Sequence, residues 1–87
     1  MSGPETSRLD LTHVLEHFPH SAALVRRLVV VDDTFWSICE DYALARATLV
    51  KLEKLEQAEQ NVTKLADYRA LVADLEREIA EALRNAK

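Results

Sequence analysis

The chain has 87 residues, 48% of them hydrophobic and 30% charged, with a formal net charge of −4. That length bounds it to one small domain, and that mixture excludes a disordered polar chain. One Gly and two Pro supply too few turns for an all-β fold, and a single Cys rules out an intrachain disulfide.

In chain order, residues 1–8 are small and polar, include Gly3 and Pro4, and read as a flexible tail before a single domain over 9–87. They carry no basic region followed by an apolar run, so no secretory signal is expected there. Ser7 or Asp10 can cap a short helix over about 10–18, with Leu11, Val14, Leu15 and Phe18 on its apolar side. Pro19 ends it, because the residue before a proline is pushed out of the helical region, and Pro19 can itself open a second helix over about 20–31. Val29, Val30 and Val31 would suit a strand, but no second strand is available to pair with them, so helix is expected.

Asp32 or Asp33 then caps a long helix over about 33–57. Phe35, Ile38, Tyr42, Ala45, Leu49 and Leu52 are spaced 3-4-3-4-3, which keeps them on one face, and Leu55 extends the row. Residues 62–85 carry the same row reversed: Val62, Leu65, Tyr68, Val72, Leu75, Ile79 and Ala82. Folding the chain back through Gln57–Asn61, with Asn61 as the next cap, pairs Leu55 with Val62 and Leu52 with Leu65. The same register pairs Leu49 with Tyr68, Ala45 with Val72, Tyr42 with Leu75, Ile38 with Ile79 and Phe35 with Ala82. One register serving every pair predicts an all-α fold: a long antiparallel helical hairpin with a coiled-coil-like seam. One or two short N-terminal helices are expected to pack at its open end.

The long helix has a second apolar edge, Trp36, Cys39, Ala43, Ala47 and Val50. The N-terminal helices are expected to cover Trp36 and Cys39. A second copy of the chain is expected to cover the middle of the edge, so that Trp36, Ala43, Ala47 and Val50 form an interaction surface.

Phe18-Pro19, an apolar helix with Leu28, then Asp32, Phe35 and Tyr42, resemble the pattern of the YdcH-like small bacterial proteins. The closing LVADLEREIAEAL is similar to that family's ending, and the resemblance covers about residues 9–84. It implies a small α-helical hairpin protein and no activity, since the family is a domain of unknown function. The chain departs from the pattern beside Phe-Pro, where His17 and His20 stand in place of the acids common in the family.

Several residues invite a chemical reading. His13, His17 and His20 fall at i, i+4 and i+7 with Glu16 nearby, but Pro19 interrupts the helix they would share, and two ligands are too few for a tight metal site. Glu40 and Asp41 are adjacent and so point about 100° apart, which suits solvent better than acid–base work. Cys39 has no His close in sequence and sits on an apolar edge, as a structural thiol does. Lys51, Lys54 and Lys64 alternate with Glu53, Glu56 and Glu59, the pattern of a solvated helix face. Residues 1–31 hold three acids and three bases, whereas 32–87 hold twelve acids and eight bases, so the hairpin lacks the basic footprint of a nucleic-acid binder.

The reading is a non-catalytic protein–protein interaction module, self-associating and binding another protein, with no catalytic residue, cofactor or metal. The alternative is a nucleic-acid or ribonucleoprotein accessory factor using the lysines at the hairpin tip. The lone Cys fits a reducing cytoplasm. The longest apolar run, Leu28–Val31, is too short to span a bilayer.

Overall fold

The computed structural model describes residues 10–54 and 61–86. The described residues form four α-helices: α1 (Thr12–His17), α2 (Ala22–Val31), α3 (Asp33–Lys54) and α4 (Asn61–Asn85), with a 3-10 turn over Pro19–Ser21. The fold is an all-α helical hairpin, α3 packed along α4, with α1 and α2 both packed on α3. The tail over 1–8, the side chain of Leu55 and most of the Gln57–Asn61 turn lie outside the described residues.

Local chemistry sets the boundaries. Asp10 Oδ1 accepts the Thr12 N–H at 3.0 Å at the start of α1. Phe18, before Pro19, leaves the helical region with φ −124° and ψ 60°, which ends α1, and Pro19 opens the 3-10 turn, where its missing N–H costs nothing. Asp32 is extended, with φ −128° and ψ 104°, and serves both sides of the bend. Its backbone N–H closes the end of α2 on Leu28 O at 2.8 Å, while its carboxylate accepts the Phe35 N–H at 3.1 Å and caps α3. The Val29–Val31 run is helical, as expected in the absence of a strand partner.

At about 1.5 Å per residue, the 22 residues of α3 and 25 of α4 give arms roughly 33 and 37 Å long. The core runs between them through Phe35, Tyr42, Ala45, Leu49, Leu65, Val72, Leu75 and Ile79. Val14 of α1 and Val25 of α2 are fully buried in the same cluster. Each large side chain so buried contributes about 1.5–3 kcal/mol, so two single valines are enough to matter to the docking of two short helices.

The open end departs from the single-register seam. Ile38 and Ala82 are only half-buried, whereas Cys39 and Leu83, one residue further along each arm, are sealed. A step of one residue turns the buried face by about 100° about the helix axis. On both arms that step turns the buried face to the side where α1 and α2 lie on α3. Phe35 and Leu83 thus lie in the buried cluster at this end, with Ala82 half-buried against it. Toward the turn, Val62 is exposed and not a seam residue.

Candidate interaction surface

Two surfaces of the hairpin carry the side chains with chemical potential. On the covered side, α1 brings His13, Glu16 and His17 over Tyr42 and Arg46 of α3, around a small cavity of about 120 Å³. The Tyr42 hydroxyl donates to Glu76 Oε2 of α4 at 2.8 Å. His17 Nδ1 lies 3.5 Å from the same oxygen, and His13 Nδ1 lies 3.7 Å from Glu16 Oε1. The Tyr42 ring is buried, and desolvation together with the Glu76 carboxylate holds its hydroxyl far above the usual phenol range. The bond from Tyr42 to Glu76, with His17 beside it, ties α1, α3 and α4 at one point.

This cluster has poor chemistry for a ligand. Arg46 Nε and His13 Nδ1 are buried without a hydrogen-bond partner among the described residues. One permanent cation faces two carboxylates, Glu16 and Glu76, so an anion gains little there, and the same guanidinium repels a metal cation. His20 sits in the 3-10 turn and not on α1, so the three histidines do not share a helix face. Among the described residues no three His, Cys, Asp or Glu side chains are placed to hold a metal. Cys39 is fully buried, and desolvation pushes its thiol up to about 12, which makes it a poor nucleophile. Glu40 and Asp41 are both exposed.

Of the edge singled out from the sequence, Trp36 and Ala43 are half-buried, while Ala47 and Val50 are exposed, Val50 at 37%. The apolar area open to solvent on that edge is thus greatest in its half nearer the turn. A larger one lies on the opposite side of the hairpin, away from α1 and α2. There Leu44, Ala45 and Thr48 of α3 and Tyr68, Leu71 and Leu75 of α4 line an open groove of about 280 Å³, with Asp41 at its rim. Leu44 is 63% and Leu71 43% exposed, too much for core residues. The same face continues toward the open end, where Ile38 meets Ala82, Glu78 and Glu81. Val30 and Val31, at the end of α2, are a further exposed apolar pair.

The Leu44–Leu71 groove was not among the surfaces read from the sequence, yet a signal for it exists. Leu44 directly precedes Ala45 and Leu71 directly precedes Val72, the two partners in one seam pair. In antiparallel helices, one residue back from the seam points to the same side of the hairpin on both arms. A large apolar residue at both positions therefore marks one face. No helix of the described residues is long and apolar enough to cross a membrane. Compared with protein-family models, with curated proteins and with solved structures, the chain finds no match.

Proposed function

We propose that the protein is a non-catalytic helical interaction module, which docks partner helices against the uncovered face of its hairpin. The observation that carries the reading is the pair Leu44 and Leu71, exposed on either side of an apolar groove between two long parallel-sided helices. Such a groove fits the apolar stripe of another helix, and grooves of this kind recur in helix recognition. Ala47 and Val50, with half-buried Trp36 and Ala43, offer a second and smaller contact on the other side of α3.

The non-catalytic part of the reading is supported by the state of the reactive groups. The thiol is sealed, Tyr42 is tied to Glu76, and the groove is shallow and open where catalysis favours enclosure. The likeness to the YdcH-like bacterial proteins belongs to the same proposal. Its marker residues have structural duties here: Asp32 caps α3, and Phe35 and Tyr42 fill the core. A reducing cytoplasmic setting suits the single buried thiol.

The test is capture of partners from source cells with the wild-type chain and with Leu71→Glu as baits, both first checked for equal helicity by circular dichroism. The wild type should retain a set of proteins that Leu71→Glu loses. Identical sets on the two baits would remove this face from the reading.

A further inference from the structure

Resting on that reading, we infer that the occupant of the Leu44–Leu71 face is a second copy of this chain, lying antiparallel across it so that the two hairpins stack face to face. The argument is the distribution of charge along the face. Toward the turn it carries exposed Lys51 on α3 and exposed Lys64 on α4, with Asp67 farther round α4. Toward the open end it carries Asp41, Glu78 and Glu81, with Asp74 farther round α4 paired to Arg77. The two halves therefore have formal charges of about +1 and −3, counting Asp67 in the first and the Asp74–Arg77 pair as neutral in the second.

A face that is basic at one end and acidic at the other repels a parallel copy of itself and matches an antiparallel one. The spacing also agrees. Measured along the helices from the Ala45–Val72 level, Lys51 lies about 9 Å toward the turn and Asp41 about 6 Å toward the open end on α3. Lys64 lies about 12 Å one way and Glu81 about 13 Å the other. A two-fold axis running across the helices at the level of Leu44 and Leu71 stacks α3 on α3 and α4 on α4, and thus places Lys64 of one copy opposite Glu81 of the other, twice, and Lys51 near Asp41, twice. The leucines meet at the axis, where an isologous contact is most buried.

The size of the face suits the same occupant. Two helices side by side, each about 10 Å wide and roughly 33 Å long, present about 650 Å² in projection, close to the ~800 Å² per partner of a standard dimer. The thinnest extent of the molecule is 19 Å, the depth of two helix layers. One layer is the hairpin and the other is α1 with α2, so the hairpin's second face lies at the molecular surface.

Sedimentation equilibrium of the purified full chain over a wide concentration range tests this without any other protein present. The expected result is a mass twice that of one chain at high concentration. Leu71→Glu, counted twice in a symmetric contact, should weaken the dimer by about a hundredfold or more. Lys64→Glu, at an exposed position, should weaken it by about tenfold, and adding Glu81→Lys should restore it. A monomer at every concentration overturns the inference. So does a dimer indifferent to Leu71→Glu, or one that Glu81→Lys fails to rescue. A monomer whose Leu71→Glu form still loses proteins in the capture experiment removes the second copy and leaves the interaction module standing.

Discussion

Truncating Leu83 separates the tertiary packing from the simple seam. A strict hairpin register puts Ala82 opposite Phe35 and leaves Leu83 beside the seam, where Leu83→Ala should change stability by no more than about 0.5 kcal/mol. In the structure Leu83 is 5% exposed and packed in the same cluster as Phe35, Cys39 and Ile79. Removing its three outer carbons forfeits about 2.4 kcal/mol of transfer free energy at ~0.8 kcal/mol per carbon. The cavity left behind adds to that, while relaxation of the last turn of α4 offsets part of it, so the expected loss is about 2–3 kcal/mol. Urea unfolding followed by circular dichroism reads this directly. With a slope of about 1 kcal/mol per M for a chain this small, the midpoint should fall by roughly 2–3 M. The thermal midpoint should drop by about 10–20 °C. Ala82→Gly, by contrast, acts mainly through helix propensity, at about 1 kcal/mol. If Leu83→Ala proved neutral, the rotation of the buried face toward α1 and α2 would be wrong.

Three further outcomes follow from particular contacts. Asp32→Ala removes the carboxylate that caps α3 at Phe35 N–H and should cost about 1 kcal/mol, whereas Asp32→Asn should recover most of it, both read from urea midpoints. Tyr42→Phe deletes the bond to Glu76, whose side chain is 23% exposed and can rehydrate, so the loss should be close to 1 kcal/mol, far below that of Tyr42→Ala. The Cys39 thiol should resist a thiol reagent in the folded protein and react at the rate of unfolding. Because burial raises its pKa from 9.0 to about 12, the folded state favours the neutral thiol. Its contribution to stability is then intact below pH 9 and lost as pH rises from 9 toward 12. Cys39→Ala should flatten that alkaline decline, and an unchanged slope would count against the buried thiol as its source.

The chain by itself determined the hairpin. Mirror-image rows of apolar residues leave one register that buries Tyr42, Ala45, Leu49, Leu65, Val72 and Leu75 together, and Pro19 and Asp32 are local stops that act whatever surrounds them. Periodicity along one helix cannot say which flank of the seam a third element will cover. That was decided by α1 and α2, which lie on one side of α3 and draw Cys39 and Leu83 inward in place of Ile38 and Ala82. The same choice leaves Trp36 and Ala43 half-buried and turns Leu44 and Leu71 to the surface. It also brings Glu76 to Tyr42 and His17, residues 34 and 59 positions away along the chain (76 − 42 and 76 − 17). Sequence spacing reports neighbours within a turn or two of helix, and a bond across that distance exists only once the arms have closed.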